Sequence, residues 1–286
     1  MLRRHQISLE HMAGDARRPW RILLLHGWSP GPRLPRSLRH PGFEVDEIPT
    51  TGICDVLVSP CGIAFFTLPF LALAAVAAGW GVAHSLLGAS IGAVVGTAVL
   101  VLVVIGVAVG MWVLKQRAVG WVVKAGVRAI KAKIRSNGGA PYDVLAAYSW
   151  GGGAAVAASA LGVHAGPILL FAPASSMLLG HAGQASKLLR LNNAPRVVLV
   201  HGAQDGIVPC RHSTALWQSA QADGVAIQWV TGRDDHFLHR LAPPERIRRW
   251  LEWLVDDDAA DAEEEEEEEE EEAGGDRATD LKGGVW

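Results

Sequence analysis

The run Tyr142-Asp-Val-Leu-Ala-Ala-Tyr-Ser149-Trp-Gly-Gly-Gly153 has the residue types of a nucleophilic centre. A short apolar stretch runs straight into a serine, and small residues follow at once, leading an Ala-rich segment, 154–161. A strand, a sharp turn and a helix in that order lift a hydroxyl clear of a sheet and aim it at a helix N-terminus, where backbone N–H groups can hold an oxyanion. Tight turning admits only small neighbours, a mechanical reason for Gly151, Gly152 and Gly153. The pattern reads Ala147-x-Ser149-x-Gly151, with Ala where G-x-S-x-G has its first Gly. Taken alone, small-x-Ser-x-Gly also suits ordinary helix caps and Gly-rich loops.

Three further segments have the pattern of strands ending in chemistry-bearing loops. Arg21-Ile-Leu-Leu-Leu-His26-Gly27-Trp28 ends in His-Gly. Arg196-Val-Val-Leu-Val-His201-Gly202 leads into a loop carrying Asp205. Ala226-Ile-Gln-Trp-Val-Thr231 leads into Gly232-Arg-Asp-Asp-His236-Phe. Serine, acid and histidine therefore follow one another along the chain, each just after a strand.

Over about 20–255, apart from one insertion, these residues resemble the α/β-hydrolase superfamily, in its dienelactone hydrolase and esterase-like branch. The resemblance implies Ser149 as nucleophile, His236 as general base and then acid, and Asp205 as the group that orients His236. It also implies oxyanion N–H donors from Trp150 and from the loop after Gly27, at Trp28. The residue types suit the chemistry. A serine hydroxyl is a poor nucleophile until a base takes its proton, imidazole titrates near neutrality, and a carboxylate fixes its tautomer and stabilises the imidazolium.

Other residues compete for these roles. The chain has 11 histidines. His26 and His201, at strand ends before Gly, read as loop-shaping groups. His239 could replace His236 but begins to enter the last helical segment. Asp234 and Asp235 compete with Asp205, yet adjacency to the histidine in sequence rarely gives the required geometry. Asp55 has no partners of metal-ligand spacing, and no P-loop or G-x-G-x-x-G opens a helix after a strand. No cofactor or metal is expected.

Residues 56–114 contain no Asp, Glu, Lys or Arg. A bilayer crossing takes about 20 apolar residues, and the run divides into 62–83 and 87–114. Strands on either side of it belong to one parallel sheet, so any full crossing must occur an even number of times. A transmembrane helical hairpin is the expectation, favoured over a hairpin that dips into one leaflet. Pro69 would kink the first span, and Gly88, Gly92 and Gly96 would let helices approach closely. Arg33, Arg36 and Arg39 precede the run and Lys115, Arg117, Lys124, Arg128, Lys131, Lys133 and Arg135 follow it, while the tip at 79–88 has no Lys or Arg. The positive-inside rule then puts the catalytic domain on the cytosolic side of an integral membrane protein. Residues 115–135 read as an amphipathic helix, with Val119, Val123, Val127, Ile130 and Ile134 on one face.

The expected organisation is a basic segment at 1–19, a hydrolase domain at 20–55 and 115–255, the hairpin at 56–114 and an acidic, disordered tail at 256–286. The net charge of −3 includes the Glu run 263–272, which repels itself. Outside that run the body is basic, which suits an anionic membrane face; no aromatic–basic groove of the nucleic-acid-binding kind is present. Cys54, Cys61 and Cys210 are too few for a disulfide framework. Strands are expected at 21–26, 43–48, 142–148, 167–171, 196–201 and 225–231, and helices at 33–39, 115–135, 151–161, 175–189, 211–222 and 243–254. Alternation of the two implies a parallel sheet covered on both faces. The expected partners are an ester substrate, small or lipid-like, and the bilayer. The alternative is a hydrolase fold kept as an inactive membrane scaffold or binding module.

Overall fold

The computed structural model describes residues 18–27, 42–48, 67, 71–72, 74–82, 85 and 89–255. Expectations for 1–19 as a segment, Trp28, the 33–39 helix, Cys54, Asp55, Cys61, Pro69, Gly88 and the acidic tail fall wholly or mainly outside these residues.

Six strands form one parallel sheet: β1 (Trp20–Leu25), β2 (Phe43–Ile48), β3 (Val144–Tyr148), β4 (Ile168–Phe171), β5 (Arg196–Gly202) and β6 (Ala226–Gly232), in the spatial order β2-β1-β3-β4-β5-β6. The central strands are buried on both faces, which is why they read as continuous Val/Ile/Leu/Ala runs rather than alternating ones. Successive residues still point to opposite sides. Leu23, Leu25, Leu145, Ala147, Leu170 and Leu199 join one core, under the helices α1 (Ala89–Ser136), α2 (Gly151–Ala160) and α5 (Arg211–Ala222). Ile22, Leu24, Val144, Ala146, Phe171 and Val200 join the other, under α6 (Pro244–Val255) through Ile247, Trp250, Leu251 and Leu254.

Two short helices, α3 (Ser175–His181) and α4 (Ala185–Leu188), stand where a single helix over 175–189 is expected. Gly183, at a φ of 67°, lies in the break, and its left-handed backbone cannot continue a helix.

The largest departure is in α1. The expected second span, 87–114, and the expected amphipathic helix, 115–135, are one continuous helix of 48 residues. Its C-terminal part behaves as expected: Val123 and Ile130 are buried in the core, Val127 and Ile134 pack against it, and Lys115, Arg117, Lys124, Arg128, Lys131 and Arg135 are exposed. Its N-terminal part projects free of the domain, with Val94, Leu102, Ile105, Val109 and Trp112 all more than half exposed. By length and composition α1 can cross a membrane: the mean hydropathy of its most apolar 18 residues is 2.7, and 6% of that window is buried. It is the one such helix among the described residues. Residues 74–82 are also helical, and the Trp80 indole lies over Gly96, where an added methyl would come within 2.8 Å of the ring.

Candidate active site

All three expected chemical residues lie at the carboxyl edge of the sheet, after β3, β5 and β6. β1 lies between β2 and β3, so the chain order reverses beside β3, and a crevice opens at such a switch point. Ser149 occupies the residue after β3 and holds a φ of 52°. That left-handed conformation is unfavourable for a residue with a side chain. It is held by hydrogen bonds on both sides: the Ser149 N–H donates to the Phe171 carbonyl at 2.9 Å, and its own carbonyl accepts from Gly152 at 3.0 Å and Ala174 at 2.8 Å.

Close packing around the turn explains its glycines. A Cβ on Gly151 would stand 2.7 Å from the Leu25 carbonyl oxygen, and one on Gly152 would stand 2.5 Å from Pro173 Cβ. Gly27 matters most: a Cβ there would lie 2.6 Å from Ser149 Cβ and 3.2 Å from its Oγ. At the departure from G-x-S-x-G, the Ala147 methyl is buried in the core.

The side chains converge. His236 Nε2 lies 3.0 Å from Ser149 Oγ, and His236 Nδ1 lies 2.6 Å from Asp205 Oδ2. All three residues are buried. Asp205 Oδ1 accepts the Ile207 and Val208 N–H groups, each at 2.8 Å. Burial works to raise the Asp205 pKa, but hydrogen bonds from His201, His236 and the Val208 N–H outweigh it and hold the carboxyl well below the usual carboxylate range. The Tyr148 hydroxyl donates to the His236 carbonyl at 3.0 Å, tying the end of β3 to the histidine loop. Its pKa is raised, first by burial and then by the charges of Asp205 and Asp235. A buried acceptor for a proton, a hydroxyl in its reach and a carboxylate behind it can activate an oxygen nucleophile.

No protein-family model matches the chain, and no curated protein matches it. Solved structures do. The esterase PE8 superposes over 83% of this chain and 94% of its own, with a TM-score of 0.50 and 14% identity. A predicted CIB-like hydrolase from Thermoplasma acidophilum covers 84% and 88%, at 0.43 and 16%. Est1E from Butyrivibrio proteoclasticus covers 84% and 88%, at 0.40 and 11%. The fold is of the α/β-hydrolase type. At these identities the likeness is one of fold, and the argument about chemistry stays with the residues.

In this α/β-hydrolase fold the competing residues have other partners. Asp234 Oδ2 accepts the N–H groups of Arg240 at 2.7 Å and Leu241 at 2.9 Å, which shapes the loop that carries His236. Asp235 Oδ1 accepts the Phe237 N–H. His239 is exposed and stacks on Phe237. His26 reaches Glu47 at the end of β2, 3.1 Å away. Trp150 is the residue before α2 and packs against Ala174, Leu178 and Val208. Trp28, expected as the second oxyanion donor, lies outside the described residues.

Sequence reasoning missed His201, which does more than shape a loop. It is fully buried, with Nδ1 2.6 Å from Ser213 Oγ and Nε2 2.8 Å from the Val208 carbonyl. A carbonyl can only accept, so Nε2 carries a proton, and that N–H also faces Asp205 Oδ2 at 3.3 Å. The acid is thus held by two imidazoles. A histidine four residues before the acid across a Gly-containing turn was the available signal.

Proposed function

We propose that this chain is a serine hydrolase that cleaves an ester, tethered to a membrane by its apolar insertion. The observation that carries the reading is the line Ser149 Oγ, His236 and Asp205, joined at 3.0 and 2.6 Å at the carboxyl edge of the sheet. His236 Nε2 takes the Ser149 proton as Oγ attacks the ester carbonyl. The tetrahedral oxyanion is held by the N–H of Trp150, at the start of α2, and by that of Trp28. His236 then protonates the departing alcohol, leaving an acyl-serine. Water, deprotonated by the same imidazole, releases the acid and restores the serine. Asp205 holds the Nδ1–H tautomer and balances the imidazolium.

The membrane part rests on the N-terminal part of α1, an apolar, exposed stretch that the domain does not cover. With the cations from Lys115 onward at its domain end, the positive-inside rule puts the hydrolase domain on the cytosolic face. The test is labelling of the detergent-extracted full chain by a fluorophosphonate probe, wild type beside Ser149→Ala. Labelling of the wild type alone is expected. A folded wild type that resists the probe overturns the hydrolase reading and favours an inert scaffold.

A further inference from the structure

We infer that the catalytic edge of this protein faces the membrane and that the site draws an amphiphilic, lipid-borne ester from the leaflet next to it. The inference rests on the tethered-hydrolase reading and goes beyond it, because a tether alone would leave the site free to face solvent.

The direction of α1 decides the matter. Its last residue, Ser136, lies a few residues before β3 begins, so its C-terminus is at the amino edge of the sheet and it runs antiparallel to the strands. Contacts then climb toward the catalytic edge as residue numbers fall. Ile130 sits in the sheet core, and a Cβ on Gly126 would stand 2.5 Å from Ala154 in the first turn of α2. Gly120 approaches Ala182, and Gln116 approaches Gly183. Val119 packs in the small cluster with Trp150 and Val208, beside the serine turn and the acid loop. Beyond these contacts α1 continues past the catalytic edge through residues 89–114, about 39 Å of charge-free helix. β2 also ends at that edge, Ile48 beside Leu25, so the described strand before the apolar insertion and the helix after it both leave the domain on the catalytic side.

The distance is short. Lys115, where charge resumes, stands eleven residues above Gly126, and Gly126 packs three residues below Gly151. At about 1.5 Å per residue the start of the apolar stretch is about 12 Å beyond the serine turn. A headgroup layer fills about 5–7 Å of that. An independent feature fits the same partner: Ile207 on the acid loop and Phe237 beside His236 are 58% and 44% exposed at this edge. Exposed Lys115 and Arg117 lie at the level of the headgroups.

The test uses the full chain in phosphatidylcholine vesicles, with Cys54, Cys61 and Cys210 replaced by Ser. A bimane is placed at Ile207→Cys or, on the opposite edge, at Ser136→Cys, with nitroxide on the lipid headgroups. Quenching severalfold stronger at 207 than at 136 is expected; equal or reversed quenching overturns the inference. A second arm inserts a flexible Gly-Ser linker between Leu114 and Lys115. Hydrolysis of an ester lipid in the protein's own vesicles should fall by an order of magnitude relative to a water-soluble short-chain ester. An unchanged ratio overturns the inference. Failure of the parent reading looks different: no fluorophosphonate labelling and no turnover of either ester. Protein that fails to float with vesicles and forms a discrete soluble oligomer through α1 overturns the inference in favour of a second copy as the occupant.

Discussion

Replacing Asp205 by Asn separates orientation from charge at the centre of this site. The carboxylate accepts four N–H groups: Ile207 and Val208 on Oδ1, and His236 and His201 on or near Oδ2. An asparagine cannot accept all four. With its oxygen toward the two amides, its NH2 group faces two imidazoles. His201 Nε2 already carries a proton fixed by the Val208 carbonyl, so donor meets donor there. His236 can accept only by moving its proton to Nε2, the tautomer that cannot take a proton from Ser149. Flipping the amide restores the imidazole contacts and strands the two backbone N–H groups. Either rotamer leaves at least one buried donor unpaired, about 1–3 kcal/mol of stability. The wrong tautomer lowers kcat about 10⁴-fold in serine proteases, equivalent to about 5.5 kcal/mol of barrier. The assay is the rate of fluorophosphonate labelling per folded molecule, with stability from urea unfolding. Asp205→Asn labelled within tenfold of wild type would refute the reasoning. Asp234→Asn is the control: its single amide oxygen cannot serve both the Asp235 N–H and the Arg240 and Leu241 N–H groups, so it should lose about 1–3 kcal/mol and label at nearly the wild-type rate.

The same carboxylate sets a pH dependence. Its folded pKa lies below the unfolded value of about 3.9. Its stabilising contribution is therefore complete above the unfolded value and is lost as pH falls from there toward the folded one. Wild type should lose stability across that acid range more steeply than Asp205→Asn, in urea titrations at stepped pH.

Gly27→Ala puts a methyl 2.6 Å from Ser149 Cβ; overpacking should cost about 1–3 kcal/mol, and probe labelling should fall more than the folded fraction does. Tyr148→Phe strands the His236 carbonyl and should lower stability by about 1–2 kcal/mol, measured by urea unfolding. Leu102→Arg with Ile105→Arg places two cations in the exposed apolar part of α1; each costs about 2.5–3.5 kcal/mol at mid-bilayer, so carbonate-resistant membrane retention should drop sharply while labelling in detergent persists.

The strands were legible because burial on both faces leaves an unbroken apolar run between turn residues. All six expected strands are present, with every end within two residues of its expected place, because apolar content marks the buried stretch and hydrogen-bond pairing sets its limits. The convergence of Ser149, Asp205 and His236 was legible because each lies within four residues of a strand's end, and parallel strands gather their carboxyl ends. His201 was not. Its approach to Asp205 depends on how the loop after β5 turns back to present the Val208 carbonyl, and no periodicity encodes that. Nor was the unity of α1. Charge resumes at Lys115, and a change of composition reads as a boundary, yet nothing there breaks a helix: no proline intervenes, and Gly120 and Gly126 are kept where Ala182 and Ala154 press close.

That continuity changes what the helix can do. β3 is five residues long, about 17 Å at strand rise, and a helix covering it needs about 11 residues. α1 has 48. The fold requires only the part that lies on the sheet, ending near the serine turn. The remainder is apolar, exposed and attached without a joint at the catalytic edge. A hinged apolar tail would act only as a tether, leaving the domain free to turn. A continuous helix gripped by Ala154, Leu178 and the sheet core fixes the angle at which the domain meets whatever holds the other end. The orientation of the site and the packing of α1 are therefore one structural problem, and substitutions at Gly126 that loosen the grip should change lipid-ester turnover before they change the chemistry at Ser149.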